Sequence, residues 1–169
     1  MALSNLQIAL TVSGALQTAL DIGAAEYKFQ TGKSIALASG TGANQADKVF
    51  VDTRTIGASG NDDLDLAGVL VDGLGVVITF ARIKAILVMA ADANTNNVIM
   101  GAAAATVFFG PFGANTHTCH ARPGGIIAFA CKDATGWPVG AGATDLLRFT
   151  NSAGGTTVDY TIVIVGSSA

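Results

Sequence analysis

Hydrophobic and polar residues alternate along much of this chain. From Leu6 the even positions Leu6, Ile8, Leu10 and Val12 are apolar while Gln7 and Thr11 are polar, the period of two that a half-buried β-strand requires. Ser13-Gly14 reads as a turn, and the alternation resumes at Leu16, Leu20 and Ile22 opposite Gln17 and Asp21. A hairpin is therefore expected over residues 6–22, within an N-terminal hairpin region, 1–30, that is available for contacts between subunits. Short strands are expected at 27–29 and 34–37.

Beyond the glycine-rich polar loop 39–47, the β-branched run 48–56 predicts a strand, and 63–66 a short one after the loop 57–61. Residues 70–80 are ambiguous, because apolar residues interrupted by Gly73 and Gly75 fit a loop with a short helical turn. Three further hairpins are expected. They join 82–90 to 97–100 through the turn 92–96, 116–122 to 126–131 through Pro123, Gly124 and Gly125, and 146–151 to 157–165 through 152–155. Short strands with glycine turns and no βαβ alternation predict an all-β fold, a single-domain β-sandwich over 1–169, jelly-roll-like and built from successive hairpins. The glycine- and alanine-rich stretches 101–105, 108–112 and 140–142 are expected as loops at the sandwich ends.

Composition adds a partner to this picture. Charged residues make up 12% of the chain, about half of the roughly 25% usual in a soluble domain. Hydrophobic residues reach 50%, and mean hydropathy is +0.51. A surface so poor in charge implies that part of it is hidden against other subunits or a lattice. The longest apolar stretch, 76–91, is interrupted by Arg82 and Lys84, so no membrane-spanning helix is expected. No Lys or Arg precedes Lys28, which argues against the basic start of a signal peptide and for a cytoplasmically made, unprocessed protein. Net charge is −3 and the nine basic residues are scattered, so nucleic acid is not an expected partner.

Candidate chemistry is sparse. His117, Cys119 and Cys131 are the best metal candidates, with His120 pointing away, since a tight Pro-Gly-Gly hairpin would set His117 opposite Cys131 and Cys119 on the same face. The C-x-x-C pair that would complete a zinc signature is missing, and buried free thiols are the plainer expectation over both zinc and a Cys119–Cys131 disulfide. Asp92, Asn94 and Asn96 open like a calcium loop, but Asn97 and Ala103 stand where its glycine and final acid belong. Asp62, Asp63 and Asp65 fit a solvated acidic strand edge better than a calcium site. Neither the glycines around Ser59 nor those around Thr41 and Lys33 complete a nucleophile elbow, a dinucleotide site or a phosphate loop. With Glu26 the only glutamate and two histidines in all, no catalytic constellation is expected, nor any cofactor. Trp137 with Phe108, Phe109 and Phe112 could form a sugar-stacking platform; pinning loops or filling a subunit interface is the plainer use of aromatics in such loops.

The segments GTGANQADKVFVDTR at 40–54, DLDLAG at 63–68, TFARIKAI at 79–86, RPGG at 122–125 and DLL at 145–147 occur in this order along the chain. Together they resemble a family of small structural proteins encoded among the virion genes of tailed bacteriophages. The resemblance covers most of the chain. It implies a head decoration or cement protein that binds outside the major capsid shell, on the virion surface, after synthesis in the host cytoplasm. The major capsid protein and further copies of the chain, as a dimer or trimer, are the partners it implies, and it transfers no catalytic residue. The alternative is a tail or head-fibre component that binds host glycans in a lectin-like manner through Trp137 and the phenylalanine loops.

Overall fold

The structure, a computed structural model, describes residues 3–103 and 105–169. It is all-β, and the described residues contain no helix. Two antiparallel sheets pack face to face. The front sheet runs in the order β11 (Ile126–Ala130), β8 (Arg82–Ala90), β14 (Val158–Ser167) and β4 (Lys48–Ile56), with β12 (Trp137–Pro138) also paired to β8. The back sheet runs β10 (Thr118–Ala121), β9 (Val98–Gly101), β13 (Leu146–Asn151) and β5 (Asn61–Asp65).

Alternation places the core between them. Phe50 and Ile56 of β4, Ile86 and Val88 of β8, and Ile162 and Ile164 of β14 meet Leu64, Met100, Leu147 and Phe149 of the back sheet in one buried cluster. At its centre Phe149 stacks on Tyr160 with ring centroids 4.6 Å apart.

The strands lie near the expected positions, but three expected hairpins do not form. Strands 82–90 and 97–100, 116–122 and 126–131, and 146–151 and 157–165 each fall in opposite sheets, so every connection arches across the core. The pair β4 and β5 does the same. A hairpin sets two strands side by side, whereas here the apolar residues of consecutive strands face one another through the core; alternation alone is identical in the two cases. The longer connections, rather than two-residue turns, permit the arch. Side chains fix it: Asn94 donates to the Asp159 carbonyl at 2.8 Å and accepts from the Asp159 amide at 2.8 Å, tying the first arch to β14. In the second arch Gly124 has φ of +68°, and a Cβ there would fall 2.5 Å from a carboxylate oxygen of Asp92.

The N-terminal segment also departs from expectation. Ser13 and Gly14 do not turn; they lie inside the continuous strand β1 (Leu6–Ala19), paired with Gln30 and Phe29 of β2 (Ala24–Ser39). The turn sits at 20–23, closed by the Leu20 amide on the Gly23 carbonyl at 3.0 Å. The two short strands expected at 27–29 and 34–37 are parts of β2. The parity of the apolar residues from Leu6 to Leu16 never changes across Gly14, and the Phe29 ring lies over that glycine, filling the place of its missing side chain. The end of β2 pairs in parallel with β3 (Gln45–Ala46).

Residues 70–80 form a small hairpin of β6 (Leu70–Val71) and β7 (Val77–Ile78) rather than a helical turn. Asp72 shapes it by accepting from the amides of Leu74 and Val76, both at 2.9 Å.

Candidate docking surface

The β1–β2 ribbon is the most unusual feature of the molecule. At about 3.3 Å per residue its strands reach roughly 45 Å. Directly paired residues of an antiparallel ribbon share a face. One face therefore carries Gln7, Thr11, Ser13 and Gln17 of β1 with Glu26, Lys28, Gln30 and Ser34 of β2. The other carries Leu6, Ile8, Leu10, Val12 and Leu16 with Tyr27, Phe29, Ile35 and Leu37, and its one charged residue is Lys33. Such a ribbon is strongly amphipathic, yet only its root is covered by its own chain.

At the root, Leu6, Ile8, Ile35 and Leu37 pack on Val49, Ala85, Val163 and Val165, which point outward from the front sheet. Past this second, smaller core the same face continues into solvent, with Leu16 and Tyr27 each 66% exposed and Ile22 in the turn 93% exposed. An isolated two-stranded ribbon is at best marginally stable in water, so an apolar face on one is a surface that expects cover.

The outer face of the front sheet is the second such surface. Pairing aligns Val51, Val163, Leu87 and Ala128 in one row across the four strands, and Thr53, Thr161, Met89 and Ile126 in the next. The ribbon root covers the adjoining row, Val49, Val165 and Ala85, and reaches Val163 of the first row. The open rows include Val51 at 56% and Ile126 at 63% exposure. Beside Val51, a groove of about 480 Å³ runs between β4 and the β6–β7 hairpin, walled by Leu3, Val49, Leu74, Val76 and Val77.

The ribbon falls largely in the region 1–30 that the sequence offered for subunit contacts, whereas the front-sheet face lay outside the candidate residues, although a signal for it was present. Residues 49–51, 85–90 and 162–165 are apolar at odd and even positions alike. Strands of that kind are apolar on both faces, and their outer face is normally covered.

The aromatic loop candidates serve mainly the chain itself. Phe108 lies in the core at 1% exposure, while Phe112 and Trp137 are half-buried against it. Phe129 joins these two edge to face, with centroids 6.0 Å from Phe112 and 6.3 Å from Trp137. Only Phe109 of the four turns outward, at 41% exposure. Lys84, fully buried, donates to the carbonyls of Asp133 and Ala134 and so fastens the loop that leads into Trp137.

His117, Cys119 and Cys131 are not assembled in the way a Pro-Gly-Gly hairpin would require, because β10 and β11 belong to different sheets. Cys119 pairs opposite Met100 in the back sheet and packs at the core margin, while His117 lies in the loop before β10. The Cys131 thiol sits 3.5 Å from the Lys84 carbonyl of the front sheet. Burial, reinforced by the nearby Asp133 charge, pushes that thiol up to about 11, so it is protonated at neutral pH. Both cysteines are free, and no cluster of three metal-ligating side chains occurs among the described residues.

Two of the three aspartates of β5, Asp62 and Asp63, are paired with arginines, and Asp65 accepts from the Ala67 amide at 2.9 Å. Asp63 receives both Nε and a terminal nitrogen of Arg148, at 2.7 and 2.6 Å, on the outside of the back sheet. Asp62 points the other way and joins the two sheets at their edge, accepting from Arg54 at 2.5 and 2.9 Å and from the Tyr160 hydroxyl at 2.8 Å. Burial alone would raise the Asp62 carboxyl; the hydrogen bonds from Arg54 and Tyr160, with the Arg54 charge, outweigh it and hold the group below the usual carboxylate range. Burial and then the Asp62 charge drive the Tyr160 phenol upward, so it stays a proton donor.

No known protein family, curated protein or solved structure matches the chain.

Proposed function

We propose that this protein is a non-enzymatic structural component of a phage virion, a decoration or cement protein that binds outside the major capsid shell and stabilises it. The observation that carries the reading is the apolar strip that runs from the ribbon root to its tip, uncovered beyond the root by its own chain. Many copies that each bury such a strip across the seams of a shell raise the cost of separating its subunits. A chain with 12% charged residues suits a working state in which much of the surface is occupied.

The strand order supports a jelly-roll reading of the sandwich, because consecutive strands β4 and β5, β8 and β9, β10 and β11, and β13 and β14 lie in opposite sheets. The partners of this role are the major capsid protein and further copies of the chain, with a dimer or trimer on a lattice symmetry axis.

Purified virions should contain the protein in many copies, and shells that lack it should break at lower temperature and under milder osmotic shock. Virions without the protein, or equal resistance of the two kinds of shell, would remove the proposal.

A further inference from the structure

We infer that the distal half of the ribbon docks through its apolar face on the open outer rows of the front sheet of a second copy of this chain. The inference concerns the contact of the chain with itself and holds whether or not the larger assembly is a capsid.

The first argument is that the molecule already makes this contact once. The root of the ribbon lies on the row Val49, Val165 and Ala85 and on Val163 beside it, through Leu6, Ile8, Ile35 and Leu37. Beyond it Val51, Ala128, Met89 and Ile126 continue the apolar surface and are open, with Thr53 and Thr161 between them. The next residues of the same ribbon face, Leu10, Val12, Leu16, Tyr27 and Phe29, continue the matching chemistry and are open too. Each surface is thus the extension of one side of an interface already formed within the chain. A second copy can complete both at once.

The second argument is area. The open apolar side chains of the distal ribbon and its turn leave on the order of 800 Å² uncovered, about what each partner contributes to a standard interface. Ribbons that bundled only with one another would hide one of the two surfaces and leave the front-sheet rows in water. Docking of ribbon on sheet hides both; made reciprocally by two chains it closes as a two-fold pair, and made head to tail it builds a ring or a filament.

The third argument is the ribbon's opposite face. It carries Gln7, Thr11, Ser13, Gln17 and Gln30 and the ion pair of Lys28 with Glu26 at 3.2 Å, and so remains compatible with water after docking. One face is built for cover and the other for solvent.

The test is sedimentation of the full chain together with two variants, Leu16→Lys on the ribbon and Met89→Lys on the front sheet. Wild type should sediment as a multiple of 16.9 kDa. Each variant should fall to the mass of one chain and still unfold cooperatively, with the midpoint of wild type diluted to single chains. Mixed in equal amounts, the two should recover a species of two chains, because one supplies an intact ribbon and the other an intact sheet face. If Met89→Lys does not fold, Val51→Lys on the edge strand replaces it. A Met89→Lys or Val51→Lys protein that folds and associates as wild type does would overturn the inference in favour of ribbon pairing with ribbon. A wild type that stays a single chain at every concentration would overturn it as well.

Discussion

On the outside of the back sheet, Arg148 grips Asp63, Thr150 donates to Asn61 at 2.7 Å, and Thr118 lies 3.3 Å from His120. Outside the front sheet, Thr53 with Thr161 and Thr55 with Asp159 hold one corner, and the rest of the face is Val51, Val163, Leu87, Met89 and Ile126. The two sheets supply the same core with side chains of the same kind, so their inner faces are interchangeable in chemistry and their outer faces are not. The contrast teaches that the back sheet is finished as a water-facing surface, whereas the front sheet is built to be buried on both sides. The ribbon, rooted on the front sheet, shares its incompleteness.

Breaking the shared core should have the largest effect on folding. Phe149→Ala, which removes the ring stacked on Tyr160, should lower stability by about 3–5 kcal/mol in denaturant unfolding, whichever sheet is followed. Next comes the staple between the sheets at their edge. Tyr160→Phe removes the hydroxyl donor to Asp62 and should lower stability by about 1.5–3 kcal/mol at neutral pH. The folded-state pKa of Asp62 is depressed, so its contribution is present above the unfolded value near 3.8 and fades as the pH falls through the lower folded value. Denaturant unfolding over an acid pH series should therefore show the gap between wild type and Tyr160→Phe narrowing below that point.

Smaller effects separate the outer faces. Arg148→Met breaks an ion pair on the finished face and should cost about 0.5–1 kcal/mol, with no change in sedimenting mass. Ile126→Thr on the unfinished face should change the folding stability of the single chain by less than about 0.5 kcal/mol, yet weaken association. The reverse outcome, with Arg148→Met altering association and Ile126→Thr leaving it untouched, would invert the comparison.

The strands were largely legible in the sequence, because period-two alternation survives any sheet arrangement. Residues 48–56, 82–90 and 146–151 form β4, β8 and β13 with the expected bounds. Their pairing was not legible. Alternation in 82–90 and 97–100 is equally consistent with strands side by side and strands opposite, and the decision rests on Asn94 bonding to Asp159, a residue 65 positions away. Ser13-Gly14 resembled a turn because glycine after serine usually marks one. The ring of Phe29 across the ribbon supplies what that glycine lacks, and this is a long-range fact. The docking surfaces were half legible: the doubled apolar parity of 49–51 and 162–165 shows a strand covered on both faces, while which rows the ribbon root leaves open depends on the folded register. His117, Cys119 and Cys131 failed as a cluster for the same reason the hairpins did, since the Pro-Gly-Gly segment sends the chain to the other sheet.

The most direct test of the central claim, that the ribbon and the front-sheet face are covered in the working state and the back-sheet face is not, is hydroxyl-radical footprinting of the dilute and the assembled protein. The account predicts that Tyr27, Phe29 and Met89 become strongly protected on assembly while His120, outside the back sheet, labels equally in both states. Unchanged labelling of Tyr27 and Met89, or protection of His120 in their place, would contradict it.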